Sequence, residues 1–488
     1  MNRIYAVTIS VLLAMALCAC SGSSQETTQE SESTATTEVE TTAEVTTAET
    51  TTEKSSDEIM EEATMVMTTE TEAESLEDEK KADFDYISWF EEIKSGQVKG
   101  GDGSISDDSK VGVALYSLSD GESVEDMMFS ASVIDYSPVR AQGAVEASIT
   151  GGQILKTDGD SSSADDSSFY GKNAAVQSLD GAILTITGAE VRAEAENATG
   201  VFAYNGGVVC IADSIVNVSG GGAGGIQVAG GGELYASNLK VTSESKAAIR
   251  SDRGGGILQV VGGEYISNGS NGCPAVYSTA DITVTDAILT SNHSRAVIIE
   301  GKNTVTLADC DTYGHDESTK EGSVKANVLL YQSASGDASE GTSVFTMNGG
   351  TMTAGAGAMF YCTNTSSVVN LKAAELINSE DGGLLIVSAG RWGKDGSNGG
   401  NCTFNAEDQT LEGDIIVDSI STLELNMTSS EFTGVINSDG VAGEVTVTMD
   451  NTSTWKLTAD SYISEFNGNV DNVETGSYHL YVNGEQVK

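Results

Sequence analysis

The chain has 488 residues, with 73 Asp and Glu against 24 Lys and Arg, for a formal net charge of −49. This charge argues against nucleic-acid binding, because phosphate contacts require clustered Lys and Arg. The chain holds 55 Gly but only 2 Pro and has no Gly-X-Y period, which excludes collagen. Three His and the lack of a Cys-X-X-Cys spacing argue against zinc or iron–sulfur sites.

The N-terminus has the features of an export signal. Arg3 precedes an apolar stretch over 4–17, which is short for a membrane-spanning helix. The sequence Leu-Cys-Ala-Cys at 17–20 resembles the bacterial lipoprotein signal. The resemblance implies a signal peptide over 1–19, palmitate-type lipidation of Cys20, and attachment to the extracellular face of the bacterial cell membrane. The alternative is an ordinary signal peptide with incidental cysteines.

The next segment is rich in Ser, Thr and Glu. Between 21 and 82 it holds 18 acidic residues and 3 lysines. Such a chain cannot bury enough apolar surface to offset its conformational entropy, and its charges repel one another. The sequence therefore predicts a disordered stalk over 20–82 that lifts the following domain off the membrane. A passive disordered tail is the alternative.

A helix-like stretch comes after the stalk. Its apolar residues are Phe84, Ile87, Trp89, Phe90 and Ile93. This spacing gives one apolar side, as in a helix that packs on a neighbouring domain. We expect an N-terminal cap over 83–110 that covers the first turn of the next domain.

A short apolar pattern then recurs to the end of the chain. The first apolar residue of each copy lies at 147, 184, 209, 234, 258, 282, 305, 345, 369, 402, 425 and 447. Eight of the eleven steps are 22 to 25 residues, and the three longer steps contain polar insertions. A second apolar row, which includes Val201-Phe202 and Ala248-Ile249, runs between these copies. Short, β-branched, alternating segments at a steady period predict an all-β parallel solenoid of about twelve coils over 111–488.

A turn residue comes after the first strand of most coils. Gly, Asp or Asn, which tolerate a left-handed backbone, occur at this turn. These residues are Gly151, Gly188, Asp213, Asn238, Gly262, Asp286, Asp309, Gly349 and Asn451. We therefore interpret the aspartates in this set as corner residues and not as a catalytic row.

The coil pattern resembles right-handed parallel β-helix proteins of the pectin-lyase-like and autotransporter-passenger group. The sequence Thr-Trp-Lys-Leu-Thr-Ala-Asp-Ser at 454–461 is similar to a phrase of pertactin-like adhesin passengers. The resemblance implies a surface-exposed adhesin. Those passengers continue into a membrane barrel, which does not follow Lys488, so attachment is expected through Cys20. In structural terms, Trp455 is expected to close the core.

Polysaccharide lyases and hydrolases also use this fold, so an enzyme is an alternative. Of the motifs of β-helix polygalacturonases, only the fragments Gly314-His315-Asp316 and Asp165-Asp166 occur here. Three histidines allow no convincing Ser-His-Asp set. The sequence therefore leans against an enzyme.

One acidic loop offers oxygen ligands. Asp158, Asp160, Asp165 and Asp166 lie close together in a Gly- and Ser-rich stretch. Calcium prefers several carboxylate oxygens, so this loop predicts a weak calcium site, with a solvated loop as the alternative. No other cofactor is expected.

Two regions are candidates for glycan binding. The first is a mixed-charge strip of Arg250, Asp252, Arg253, Tyr277, Glu300 and Lys302, in which Arg250, Tyr277 and Ile299 are expected in register on successive coils. Such groups hydrogen-bond sugars, although a ladder of surface ion pairs is the alternative. The second region comprises the insertions 331–343 and 388–400, which leave the coil at the same turn. The later one carries Arg391 and Trp392, a sugar-stacking platform unless the indole folds back over the coil.

Five cysteines remain after Cys18 and Cys20 are set aside. An odd number in an exported chain argues against a full disulfide framework. Cys402 falls on an inward position and is expected to pack as a small apolar residue.

Together these features predict a surface-anchored β-helix protein that acts as an adhesin or glycan-binding protein. Its expected partners are the membrane, through the lipid, and a surface glycan or a polymer of a host or neighbouring cell. The alternatives are a β-helix polysaccharide lyase or glycoside hydrolase, and a purely structural envelope protein.

Overall fold

The computed structural model describes residues 84–488, apart from 271, 321, 381, 441 and 442. The predicted signal peptide over 1–19, the lipidation site Cys20 and the predicted stalk over 20–82 lie outside the described residues. Within the described part, no helix combines the length and the apolar character needed to cross a membrane.

The parallel β-helix is confirmed. Each coil contributes one strand to sheet 1, which is a 12-stranded parallel sheet. Its strands are Val113–Ser117, Tyr136–Gln142, Val176–Leu179, Val201–Tyr204, Ile226–Ala229, Ile249–Ser251, Val276–Ser278, Val297–Glu300, Ala326–Tyr331, Ala358–Thr363, Leu385–Val387 and Ile415–Val417.

Sheet 2 has 22 strands and bends into two arms. The first arm contains Ser123–Glu125, Glu146–Thr150, Ile183–Thr187, Val208–Ala212, Asp281–Thr285, Thr304–Ala308, Thr342–Asn348, Ser366–Lys372, Asn401–Glu407, Thr422–Thr428, Glu444–Met449 and Glu465–Asn467. The second arm contains Met128–Ala131, Gln153–Lys156, Glu190–Ala193, Ile215–Val218, Ile288–Ser291, Asp311–His315, Thr351–Ala356 and Glu375–Ile377. The strands Gly232–Ser243 and Gly256–Ser267 run through both arms.

The remaining elements are small. A 4-stranded sheet contains Thr410–Glu412, Glu431–Thr433, Thr454–Lys456 and Val473–Glu474. A 3-stranded sheet contains Ser461–Ile463, Leu480–Val482 and Glu485–Gln486, and its last pair is antiparallel. The helices are Tyr86–Gly96, Asp108–Val111, Ala164–Tyr170 and the short 3-10 helix Val470–Asn472.

The corner between the two arms has a left-handed backbone, as the turn residues predicted. Eight of the nine predicted residues have positive φ, from 48° at Asp213 to 70° at Gly262. The prediction was wrong for Asn451, which is not among the residues of positive φ. Ala373, Asp408 and Ser429 continue the row instead, with φ near 50°.

The core lies inside the coils, and the sequence located its first apolar row at eleven of twelve positions. In the remaining coil the structure pairs Val369 with Phe404, so position 402 was wrong by two residues. Phe404 is fully buried and packs edge-on against Phe360, with ring centroids 5.5 Å apart. Cys402 instead pairs with Ser367, but it is buried inside the core, as expected.

The N-terminal helix occupies a different place from the one expected. Tyr86–Gly96 does not cover the first coil; its Phe90 packs against Ile183, Cys210 and Tyr235, which belong to three later coils. Alternate residues of those strands face away from the core and are apolar, which gives the helix an apolar surface on the outside of sheet 2.

Trp455 closes a stretch of core near the C-terminus, in agreement with the structural expectation. Its side chain is fully buried and stacks on Phe432, with ring centroids 5.6 Å apart. Its indole Nε1 donates a hydrogen bond of 3.1 Å to the carbonyl oxygen of Gly434. A buried indole N–H needs such a partner, so the Trp fits this coil in both shape and polarity.

Candidate functional site on the outer face of sheet 1

One row of side chains runs along the outside of sheet 1. In register on successive coils lie Arg140, Gln177, Phe202, Gln227, Arg250, Tyr277, Ile298, Leu329 and Tyr361. Their neighbours along each strand point into the core, so this row faces outward. Even so, most of its members are buried. Segments that leave the coils must therefore cover this face.

The N-terminal part of the row is covered by the segment around Val111 and by the insertion that ends in helix Ala164–Tyr170. Arg140 Nη2 donates to the carbonyl oxygens of Val111 and Gly112 at 3.1 and 2.7 Å. Gln227 Nε2 donates to the carbonyl oxygen of Ser168 at 2.8 Å. Polar side chains of the sheet thus bond the backbone of the cover, which satisfies groups that would otherwise be buried without partners.

The C-terminal part is covered by three segments near 316–325, 332–341 and 388–400. The last two correspond to the predicted insertions 331–343 and 388–400, and both leave the coil between sheet 1 and sheet 2, as expected. A buried ion pair of 2.9 Å between Arg295 and Asp316 holds the first segment in place.

The predicted mixed-charge strip is not one open face. Asp252 and Glu300 are 3% and 1% exposed, whereas Arg253 and Lys302 are exposed. Register was also wrong by one residue, because Tyr277 pairs with Ile298 and not with Ile299. Both isoleucines are apolar, so the sequence pattern alone does not show which one faces the core.

Four residues of the strip do come together. Arg250 Nη2 lies 2.8 Å from Asp252 Oδ2, and the Arg250 guanidinium lies 4.6 Å from the centre of the Tyr277 ring. The Tyr277 hydroxyl donates to Glu300 Oε2 at 2.6 Å. Burial raises the pKa of Tyr277 well above its usual value, so this hydroxyl remains a donor. The ion pair between Arg250 and Asp252 therefore lies within one coil.

Glu300 is the centre of a hydroxyl cluster that the sequence did not reveal. Its Oε2 also accepts from the Tyr331 hydroxyl at 2.8 Å. Its Oε1 accepts from Ser333, and from Ser335 at 3.4 Å. We call Tyr277, Glu300, Tyr331, Ser333 and Ser335 the Glu300 cluster. Carboxylates are rarely buried without strong partners, and here hydroxyl groups supply them.

Arg253 joins the two covers. It donates to Asp337 Oδ1 through Nη2 at 2.6 Å, and its guanidinium lies 4.1 Å from the centre of the Phe169 ring. Phe169 belongs to the N-terminal cover and Asp337 to the C-terminal cover. The Arg253 side chain therefore contacts both covers and is not a free cation in an open strip.

Trp392 is folded back and is not an exposed platform. It is partly buried and packs on Tyr331, with ring centroids 4.5 Å apart. The Arg391 guanidinium lies 4.7 Å from the centre of the indole ring. Through Tyr331, the two predicted glycan regions become one continuous site. Tyr331 is the first residue of the predicted insertion 331–343, but its contacts with Glu300 and Trp392 were not predicted.

Two open grooves flank the 388–400 loop. We call the first, of about 540 Å³, the Arg391 groove; it is lined by Gly322, Ser323, Val324, Ala389, Gly390, Arg391, Asp395, Gly396 and Asn398. We call the second, of about 500 Å³, the Ser333 groove; it is lined by Gln332, Ser333, Ala334, Glu340, Gly341, Thr342, Asn364, Thr365, Ser366 and Gly393. Hydroxyl, amide and charged side chains occur among the lining residues of both grooves, and such groups can hydrogen-bond sugars.

The predicted calcium residues take several separate roles. Asp158 accepts from the backbone N–H of Gly159, and Asp160 accepts from that of Glu196 at 3.0 Å. Asp166 pairs with Lys110 and Lys172, each at 3.1 Å, and Asp165 lies in the first turn of helix Ala164–Tyr170. Across the described residues, no group of three or more His, Cys, Asp or Glu has an arrangement that could hold a metal ion. Calcium binding stays a prediction.

The two fragments of polygalacturonase motifs, Gly314-His315-Asp316 and Asp165-Asp166, make separate ion pairs. Asp316 is fully buried in its ion pair with Arg295, while His315 is part-exposed and lies 3.8 Å from Glu317. Compared with protein-family models and with curated proteins, the chain gives no match.

Proposed function

We propose that this protein is a lipid-anchored bacterial surface protein that binds glycans, as an adhesin does, through the grooves beside the 388–400 loop. The observation that carries this proposal is the Arg391 groove. It is an open space lined by the exposed Arg391 and Asp395 and by the half-buried Ser323. Asn398 also lines it but is buried, and its Nδ2 donates to two carbonyl oxygens of the loop. Planar polar groups such as those of Arg391 and Asp395 form paired hydrogen bonds with neighbouring sugar hydroxyls.

The charges of this groove favour an uncharged glycan. Arg391 and Asp395 contribute one charge of each sign, so the groove does not select for carboxylates. The chain as a whole carries −49, which repels polyanions such as uronate polymers at long range. Trp392 supports the groove by fixing the loop on Tyr331. The sugar contacts then come from the polar side chains.

The binding test compares two groove variants with a control from the same loop. Arg391→Ala and Asp395→Ala remove exposed groove side chains, whereas Lys394 is exposed in that loop but does not line the groove. A chain that begins at Ser21 would be screened on a glycan array, and the best neutral glycan titrated by calorimetry. We expect each groove variant to bind at least about tenfold more weakly, since each loses a charge-assisted hydrogen bond. Lys394→Ala should bind like the unmodified protein.

Other outcomes distinguish the alternatives. Equal binding by all variants would reject the Arg391 groove. Release of unsaturated or reducing ends from uronate polymers would favour the enzyme alternative. No binding and no turnover would favour a structural role in the envelope.

The anchor needs its own test. In a bacterial host, the mass of the N-terminal peptide should show a lipid on Cys20 after loss of residues 1–19. Cys20→Ser should release the protein into the medium. An unmodified Cys20 on the mature chain would reject lipid anchoring and leave the glycan proposal intact.

A further inference from the structure

Two thiols meet inside the core beside the candidate site. All five cysteines of the described chain are buried thiols. Cys362, in the sheet 1 strand Ala358–Thr363, and Cys402, in the sheet 2 strand Asn401–Glu407, have their Sγ atoms 3.7 Å apart. This is van der Waals contact between sulfur atoms, and a disulfide requires a separation of about 2 Å. The two sulfur atoms would have to approach by about 1.7 Å for a bond to form.

The position of the pair is specific to the 388–400 loop. The backbone carbonyl of Cys362 accepts from Ser388 N at 3.2 Å, at the point where the loop leaves sheet 1. Cys402 is the second residue of the strand by which the chain returns to sheet 2. The space is tight here, because a Cβ added to Gly400 would lie 2.6 Å from the carbonyl oxygen of Cys362. The two cysteines thus bracket the base of the loop that carries Arg391 and Trp392.

We propose that Cys362 and Cys402 are a disulfide-forming pair that locks the base of the 388–400 loop when the chain folds in an oxidising compartment. The co-reactant is a disulfide-exchange oxidant. The thiolate of one cysteine attacks a sulfur of that oxidant, forms a mixed disulfide and expels one thiolate. The second cysteine attacks the mixed disulfide and expels the other thiolate, so two electrons and two protons end on the oxidant.

Burial sets the time at which the bond can form. The hydrogen bond to Cys362 and burial both raise the pKa of the Cys402 thiol, which keeps it protonated in the folded state. Only thiolates exchange, so the bond forms while the coils are still assembling and becomes resistant to reductants afterwards. The expected pattern is one disulfide and three thiols, which is compatible with the odd number of cysteines.

Peptide mapping tests this pairing. The reduced, denatured chain would be refolded with a mixture of reduced and oxidised glutathione, then unfolded in guanidinium chloride with N-ethylmaleimide present so that buried thiols react, digested without reduction and analysed by mass spectrometry. We expect one cross-linked species that joins the peptides of Cys362 and Cys402, with alkylated Cys210, Cys273 and Cys310. The matched control Cys210→Ala should keep the cross-link, and Cys402→Ala should lose it.

Melting temperature provides a second readout. The oxidised protein should melt at least a few degrees above the same protein refolded in dithiothreitol, roughly as expected for closing a loop of this size. The difference should vanish in Cys402→Ala. Quantitative alkylation of all five cysteines when the refolded protein is unfolded in N-ethylmaleimide, or a cross-link to a different cysteine, would overturn the proposal.

Discussion

Lys156 links burial to a measurable pH dependence. Its side chain is fully buried at the end of the strand Gln153–Lys156, and its Nζ donates to the carbonyl oxygen of Val133 at 2.6 Å. Burial lowers the pKa of Lys156 from 10.5 to about 8, although nearby aspartates, chiefly Asp135, act in the opposite direction. The charged form of Lys156 therefore lowers the stability of the folded state relative to the neutral form.

The sign of the effect is set by the number of protons bound in each state. Between pH 8 and 10.5 the unfolded chain holds the Lys156 proton while the folded chain releases it, so stability rises with pH in this window. A shift from 10.5 to about 8 corresponds to a gain of about 3 kcal/mol. The substitution Lys156→Met keeps the volume of the side chain but abolishes this gain. It also removes the hydrogen bond to Val133.

Denaturant unfolding of both proteins at a series of pH values from 7 to 11 would measure the difference. Titration of tyrosines and cysteines affects both proteins equally, so it cancels in the comparison. The gap between the unfolding free energies should change by about 3 kcal/mol across the window, in favour of the unmodified protein as pH rises. Lys240→Met, at an exposed position, should leave the pH dependence of the unfolding free energy unchanged. Parallel curves for Lys156→Met would refute the reasoning.

Three further changes test other parts of the structure. Trp455→Ala should lower the free energy of unfolding by about 3 to 5 kcal/mol, since it empties a fully buried site; a loss under about 1 kcal/mol would contradict this packing. Glu300→Gln replaces one of two acceptor oxygens by an NH2 donor, so some of the surrounding hydroxyl donors lose their acceptor; the change should cost about 1 to 3 kcal/mol in thermal unfolding, whereas the exposed Glu340→Gln should be neutral. Asp180 binds Ser106 at 2.8 Å, so Asp180→Asn should speed tryptic cleavage within 97–106; an unchanged rate would show that other contacts hold that segment.

The sequence predicted the fold well because the coil is a local, repeated pattern. Steps of 22 to 25 residues and corner residues such as Asp213 and Gly262 are set by strand length and backbone conformation, which each coil satisfies by itself. The predicted register was wrong by one residue at a strand with two apolar faces. Ile298 and Ile299 illustrate this, because the cover makes the outer face as apolar as the inner one.

The candidate site was only partly predictable. Arg250, Tyr277, Glu300 and Trp392 were selected for their chemistry, and the structure does connect them. Their burial depends on covers contributed by distant segments. Tyr331, which links them, lies 31 residues after Glu300 and 61 residues before Trp392. A pattern within one coil of the sequence does not predict contacts between residues that are so far apart in the chain. The same reason explains why the N-terminal helix was misplaced.

The most direct test of the proposed function is a crystal structure of the protein with the best neutral glycan from the array. We expect sugar density in the groove beside Trp392, with hydroxyl groups within hydrogen-bonding distance of Arg391 and Asp395. Density on another face of the solenoid, or a bound glycan that touches neither side chain, would contradict the proposal.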